Sequence, residues 1–219
     1  MKLGILTTTG LVIAMGFASG VKAENVSHVK QLLETKKCNQ CDLTGAQLAG
    51  MNLSGADLRG ANLRGANLNG ANLDEAKLNE ANLKQAKLQG ASLIGAKMHG
   101  ANLESADLSR ANLSLAGLVI ASLKNTNLTS ANLIGANLES ANLAGANLRN
   151  ARQSVANLAN VSLRGGSLSA IDVQGVNLRD ANLTGANLTG ANLNASDLTG
   201  ANLKNANMAN VDLKNASLP

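Results

Sequence analysis

The chain has 219 residues, of which 45% are hydrophobic and 15% charged, and its formal net charge is +5 at pH 7. It contains no Trp, no Tyr and one Phe, Phe17. The shortage of aromatic rings argues against binding to single-stranded nucleic acid through base stacking. We therefore expect no nucleic-acid partner.

Residues 1–23 resemble a secretory signal peptide. A lysine-bearing start is followed by an apolar stretch over 3–17, and the segment closes on Val-Lys-Ala, a small-x-small pattern. We expect cleavage between Ala23 and Glu24, which removes two lysines and lowers the net charge from +5 to +3. The alternative is an uncleaved anchor, but the apolar stretch is short for a membrane span. Membrane contact is expected only through this segment before cleavage.

Residues 24–40 predict a short helix and a cysteine joint. Four apolar residues share one helical face, and two polar residues are candidate N-caps: Val26, Val29, Leu32 and Leu33, and Asn25 or Ser27. A helix placed just before a repeat array most simply covers the apolar side chains of the first repeat. A membrane-surface helix is the weaker alternative, because the segment is short and only mildly basic.

The two cysteines, Cys38 and Cys41, are expected to form a disulfide, because cysteines of exported proteins usually pair. Free thiols and a redox pair are the alternatives, although a thioredoxin-like pair needs a βαβ setting. Covalent haem attachment needs His after the second Cys, where Asp42 stands. Zinc needs more ligands than His28 and His99 supply. No cofactor or metal is expected.

From Cys41 to Leu218 the chain repeats a five-residue phrase, A-N-L-x-G, in one register. Its 36 centres run from Leu43 to Leu218, and Leu occupies 32 of them. Ala stands two residues before the centre in 27 repeats, and Asn or Asp stands just before the centre in 25. A period of five fits neither a helix nor a flat strand, so each phrase predicts a short extended piece followed by a turn. Asn and Gly suit such turns.

This pattern resembles the pentapeptide-repeat family over residues 41–218. The resemblance implies an all-β fold, a right-handed quadrilateral parallel β-helix of about nine coils, with the short N-terminal helix as a cap and the β-helix domain at 41–219. It also implies that the central Leu and the preceding Ala point inward. The absence of aromatic residues from the repeats agrees with so narrow a bore.

The last coil has no predicted cover. Its four centres would form the final coil with nothing packed after them: Leu203, Met208, Leu213 and Leu218. Since uncovered strand edges tend to pair, we expect a homodimer formed end to end through this coil.

Residues 20 apart should stack on the same face of such a rod. One column carries five basic residues, interrupted by Glu104: Arg64, Lys84, Lys124, Arg164 and Lys204. This basic stripe could bind an anionic surface or polymer. The alternative is an ordinary solvated surface.

Five apolar residues occupy turn positions that are otherwise polar: Ile94, Leu115, Val119, Ile120 and Ile134. Exposed apolar clusters often mark contacts with another molecule. We interpret this cluster as a candidate surface for a protein partner, with local variation in a tolerant repeat as the alternative.

The centres depart most from Leu at Gln153 and Val173, and Ile171 replaces a nearby Ala. A buried Gln would need hydrogen-bond partners. We interpret this zone as a local bulge with exchanged side-chain volumes, and a recognition site is the alternative.

An enzyme is not expected, because no catalytic, metal or phosphate-binding constellation is evident. Some pentapeptide-repeat proteins imitate DNA and bind type II topoisomerases, but that role depends on an acidic surface, whereas this chain is basic. The signal peptide, short helix, Cys-x-x-Cys and long repeat look like exported cyanobacterial members, in the periplasm or thylakoid lumen. The first hypothesis is an exported structural or protein-binding rod. The second is a binder of anionic surfaces, and the third is a topoisomerase regulator.

Overall fold

The computed structural model describes residues 23–152, 156–171 and 173–219. It consists of one helix, α1 (Ala23–Thr35), followed by a long solenoid of turns and short extended pieces. Within these ranges, no helix has the length and apolar character needed to cross a membrane.

The solenoid is a parallel β-helix with four five-residue sides. Each extended piece is a single bridged residue, the one just before the repeat centre, and it pairs in parallel with the residue 20 further along. The ladder begins with Lys37 and Asp57 and ends with Asp197 and Ser217. Pairing therefore starts at Lys37, four residues before the predicted domain start at Cys41. One column can be followed from residue 37 to residue 217 in nine 20-residue steps.

The five-residue period follows from where the backbone amides find acceptors. In the repeat 61–65, the acceptors in chain order are the carbonyls of Leu58, Cys41 and Asn82, the side chain of Asn62 and the carbonyl of Lys84, at 3.0, 2.8, 2.7, 3.3 and 2.9 Å. Four of the five amides thus bond to backbone carbonyls. The remaining amide, that of Arg64, depends on the side chain of Asn62. Because buried amides must be paired, Asn or Asp is favoured before the centre.

The bore is filled by the centres and by the small residues two before them. Leu from Leu43 to Leu198 and Ala from Ala46 to Ala201 are almost completely buried wherever they occupy these two positions. Met98 fills its centre in the same way, with no exposed surface. Alternating large and small side chains fill a bore that has no room for an aromatic ring.

Every described residue at the end of a repeat has positive φ. Gly occupies 16 of these positions, with φ between 63° and 72°, as the sequence predicts for the turns. Side chains other than Gly occupy the rest, and Asn and Asp are the ones that tolerate this conformation most readily.

Helix α1 covers the first coil. Leu32 is fully buried, and Val29 and Leu33 pack on the core. The predicted N-caps are wrong, because α1 begins at Ala23, before both Asn25 and Ser27. Asn25 instead lies buried inside the helix, where its Nδ2 donates a hydrogen bond to the carbonyl of Thr44 in the first coil.

Candidate functional site

The apolar surface, made of Ile94, Leu115, Val119, Ile120 and Ile134, lies on two neighbouring corners of the rod. Leu115 is 68% exposed, Ile120 54% and Ile94 37%, while Val119 and Ile134 are half-buried. Ile94, Leu115 and Ile134 belong to one corner, and Val119 and Ile120 follow at the next. The side between these corners is therefore bordered by apolar residues.

Leu115 lies against the turn of the next coil. A Cβ added to Gly135 would come within 2.8 Å of Leu115 Cδ2. The Gly at 135 thus leaves room for the Leu115 side chain in addition to allowing φ +67°. The corner is packed, although it faces solvent.

Leu115 and Ile120 both have positive φ, 60° and 52°. Among the described residues with positive φ, Ile120 is the one with a β-branched side chain. Left-handed backbone costs roughly 1–2 kcal/mol for a residue other than Gly. The fold would be served better by Gly or Asn at both positions, so it does not account for these two side chains.

Gly117 lies between the two corners, at a bridged position with ordinary backbone geometry. A Cβ added there would meet nothing within 4 Å, so the fold does not require Gly. Its missing side chain opens a shallow depression lined by Asn79, Lys97, His99, Gly117 and Val119. The side of the rod is therefore recessed at this coil, a feature that the apolar pattern alone did not reveal.

Charged residues border the depression on either side along the rod. Lys77 and Lys97 pair with each other in the ladder before Gly117, and Lys97 and His99 are exposed. Glu139 lies one coil after Gly117 and is also exposed. Within the described ranges, neither Lys77 nor Lys97 forms an ion pair. The two ends of the surface therefore differ in charge.

The basic stripe is arranged as one column, but its charge is partly neutralised. Lys84 Nζ lies 3.0 Å from Oε2 of Glu104, the acidic residue that interrupts the basic column. The other four members are exposed: Arg64, Lys124, Arg164 and Lys204.

Two carboxylates in the same column as Gly117 have lowered pKa values. The side-chain hydrogen bond from Arg59 holds the pKa of Asp57 below its usual value, and Arg59 Nη2 lies 2.7 Å from Asp57 Oδ2. For Asp197, the hydrogen bond from Thr199 lowers the pKa, with Arg179 contributing less. These two arginines are already partnered.

The predicted disulfide between Cys38 and Cys41 is confirmed. Their Cα atoms are 5.2 Å apart, and both residues are buried where α1 meets the first coil. The Cys38 sulfur also lies 3.3 Å from the His28 carbonyl. The disulfide thus lies directly beneath the helix.

The irregular zone has exchanged side-chain volumes in the bore. Ile171 and Val173 are both buried, so a larger residue at the small position accompanies a smaller one at the centre. Gln153, the third residue of this prediction, lies outside the described residues. Elsewhere, Thr126 and Ser196 replace Ala and donate hydrogen bonds to the carbonyls of Leu103 and Val173.

The final coil is open. Leu203, Met208 and Leu213 are half-buried, and Leu218 is 56% exposed. The end-to-end homodimer stays a prediction. In the described part of the chain, no group of three or more His, Cys, Asp or Glu residues could hold a metal ion.

The repeat and the β-helix together define a solenoid protein built from five-residue units. The family model described as "Pentapeptide repeats (8 copies)" matches residues 41–79, 76–114, 121–152, 156–194 and 196–218. The chain belongs to the pentapeptide repeat family. Its fold is therefore a right-handed β-helix, as the resemblance implied.

Three solved structures illustrate what the chain is similar to. HetL, a pentapeptide repeat protein involved in heterocyst differentiation regulation from the cyanobacterium Nostoc sp. Strain PCC 7120, is 32% identical over 80% of this chain and 92% of its own, with a TM-score of 0.31. Rfr23 from the cyanobacterium Cyanothece 51142 is 39% identical over 42% of this chain and 64% of its own, with a TM-score of 0.42.

A pentapeptide repeat protein from the Arabidopsis thaliana thylakoid lumen is 34% identical over 48% of this chain and 70% of its own, with a TM-score of 0.37. Among curated proteins, none matches the chain.

Proposed function

We propose that this protein is a non-enzymatic, exported rod that binds another protein through the apolar surface. The observation that carries this proposal is the pair Leu115 and Ile120, large apolar side chains held exposed at positive φ. Such positions cost stability, and strained, exposed residues often serve a function. A contact that buries their side chains would offset that cost.

Export is part of the same proposal. The pattern of residues 1–23 supports it, and so does the buried Cys38–Cys41 disulfide, since disulfides persist in oxidising compartments. The periplasm or the thylakoid lumen is the proposed location. Intact mass of the protein from its native compartment tests this: a chain that begins at Glu24 is expected, and a chain that retains residues 1–23 contradicts it.

The binding test compares variants in a capture experiment from the exported fraction. Leu115→Asn with Ile120→Asn removes the apolar side chains and suits positive φ, so the fold should be retained. The control is Ser105→Asn with Ser130→Asn, at positive-φ positions on other corners. A partner retained by wild type and control but lost by the first variant is expected. Equal capture by all three proteins contradicts the proposal.

Binding of an anionic surface through the basic stripe is a second candidate, supported by the exposure of Arg64, Lys124, Arg164 and Lys204. Retention on heparin or anionic vesicles at low salt, weakened by Lys124→Gln with Arg164→Gln, would support it. Lys77→Gln with Lys97→Gln, on another side of the rod, is the matched control. No retention at low salt contradicts this candidate.

A further inference from the structure

We propose that the apolar surface binds a second copy of this chain, with the two rods side by side and antiparallel about a two-fold axis at Gly117. The inference deepens the proposed function, since it names an occupant for the same surface. In an isologous contact of this kind, one patch must be complementary to itself.

The apolar residues satisfy this symmetry. Residues 20 apart stack in one column, so an antiparallel two-fold axis at Gly117 exchanges the coil before it with the coil after it. Ile94 of one copy then lies opposite Ile134 of the other. Leu115, Val119 and Ile120 each lie opposite their own counterparts. All five residues of the surface thus face apolar residues across the contact.

The charges on Gly117's side and on the corner after it obey the same symmetry. His99, one coil before Gly117, lies opposite Glu139, one coil after it, and Lys97 lies opposite Asn137. One coil further out, Lys77 lies opposite Asn157 and Glu80 opposite Asn160. Each lysine therefore faces a neutral amide, and each carboxylate faces an imidazole or a neutral amide. Two rods packed in parallel would instead place Lys97 against Lys97, which is unfavourable.

Three coils out from Gly117, Arg59 lies opposite Arg179. Both guanidinium groups are already bonded within their own chain, Arg59 to Asp57 at 2.7 Å and Arg179 to Asp197 at 3.2 Å. The charge that each would present across the contact is reduced by its carboxylate.

Gly117 suits the position on the axis. A residue on a two-fold axis meets its own copy, so a long side chain there would hold the two surfaces apart. Gly117 leaves a depression instead, and the fold offers free space at that position. Because the single rod has space for a larger residue here, we attribute the Gly at position 117 to the contact with the second copy.

The size of the contact predicts a weak dimer. The overlap about Gly117 includes nine residues of its column, from 37 to 197. Nine coils of ~4.8 Å and a side of three extended residues at ~3.3 Å each give an outline of about 430 Å². A standard interface buries about 800 Å² per partner. We therefore expect association at high micromolar chain concentration and separation on dilution.

Cross-linking tests the geometry. Gly117→Cys should couple rapidly through a short bifunctional thiol reagent that spans the ~10 Å between packed sheets. Ser122→Cys, on the next side of the same coil, and Ser217→Cys, at the far end of Gly117's column, should couple at least tenfold more slowly. Cys38 and Cys41 form a disulfide and offer no free thiol. Coupling of Gly117→Cys no faster than Ser122→Cys overturns the proposal. Preferential coupling of Ser217→Cys would also overturn it and favour the end-to-end dimer.

A charge exchange gives a second readout. Lys97→Glu replaces a cation near the partner's Glu139 with a second carboxylate at each of the two symmetry-related contacts, and Asn137→Lys brings a lysine against Lys97 at each. Each should weaken association, measured by sedimentation equilibrium, about tenfold or less, and Lys97→Glu with Asn137→Lys should restore it. No weakening by either single change, or no restoration by the pair, contradicts the antiparallel register.

The binding of another protein and the antiparallel dimer can be contradicted independently of each other. If Gly117→Cys does not cross-link but Leu115→Asn with Ile120→Asn loses a captured partner, the surface binds a different protein and only the dimer is wrong. If cross-linking succeeds and capture is unaffected by the same variant, the surface serves self-association, and binding of a second protein is contradicted.

Discussion

At the scale of single residues, the amide after each repeat centre explains the usual residue before the centre and three of its exceptions. Where one of the described Asn or Asp residues precedes the centre, its Oδ1 accepts this hydrogen bond. Eight repeats have Lys or Ser there, and in three of them the acceptor comes from one coil earlier. The amides of Gln89, Ile94 and His99 donate to the side chains of Asn69, Asp74 and Asn79, at 2.9, 3.0 and 3.1 Å. The cap is therefore a property of two positions 18 residues apart.

Asn79→Ala should lower the free energy of unfolding by about 1 kcal/mol, because the His99 amide loses its acceptor. Adding Lys97→Asn should restore most of that loss, since the introduced amide side chain would cap the same backbone N–H locally. Lys97→Asn alone should change little. Thermal melts followed by far-UV circular dichroism measure all three variants. A double variant as unstable as Asn79→Ala would refute the explanation.

Ile120→Asn should raise the free energy of unfolding by roughly 1 kcal/mol, because Asn adopts positive φ more readily than a β-branched side chain. Ile134→Asn serves as control, since Ile134 shares the apolar surface but is not among the residues with positive φ. Chemical denaturation of the dilute chain measures both. A loss of stability for Ile120→Asn would show that the side chain is held by contacts within the rod.

The Asp57–Arg59 pair predicts a pH dependence. The pKa of Asp57 is lowered in the folded state, so its contribution is present above the unfolded value of about 3.9 and is lost as the pH falls through the lowered value. Arg59→Gln should lower the melting temperature only slightly at pH 7, because the pair is solvent-screened at the surface. Melting temperatures of wild type and variant should converge as the pH falls below the lowered pKa of Asp57. Arg64→Gln, without an ion pair in the described structure, should show no such convergence.

At the scale of elements, the sequence predicted the repeat geometry and the disulfide but not the start of the helix or of the ladder. The repeat centres recur so regularly that any solenoid built from them must bury them. Cys38 and Cys41 continue the same register at the start of the repeats, so their burial was predictable too. Asn25 was misjudged, because its partner, Thr44, is 19 residues away in a coil that a local capping rule does not consider. Gly117 was overlooked because one Gly among 22 carries no signal until its φ and surroundings are known.

The disulfide should stabilise α1 on the first coil rather than the whole rod. Closing so short a loop contributes about 2 kcal/mol in the chain-entropy model. Cys38→Leu with Cys41→Ala restores the ordinary repeat residues and leaves the bore filled. Hydrogen exchange of the α1 amides should accelerate in this variant, while amides of the coils after residue 60 stay unchanged. Uniform acceleration along the rod would contradict a local role.

At the scale of the whole molecule, each coil contacts its neighbours and little else, so stability should be a sum over neighbouring coils. Deleting residues 181–200 removes one complete coil and should leave a folded rod shorter by ~4.8 Å. Every remaining column keeps its register. Circular dichroism and small-angle scattering measure the outcome. Loss of the folded signal would contradict additive coils.

Deleting residues 181–185 is the informative comparison. The repeats still follow one another, but all later residues move one side around the rod. Asp197 would then no longer lie in the same column as Asn177 and would lose Arg179 as its partner. We expect a folded rod with lower stability than the 20-residue deletion. Equal stability of the two would show that side-specific contacts contribute little.

The supply of caps from one coil earlier also restricts the order in which mutations can accumulate. A lysine at position 97 is tolerated once Asn79 is in place, but the reverse order would pass through an intermediate with an unpaired amide at His99. At position 97, a new surface charge therefore costs less stability when the Asn at position 79, 18 residues upstream, is already present. At the three positions capped in this way, the stability of the intermediates favours one order of substitution over the other.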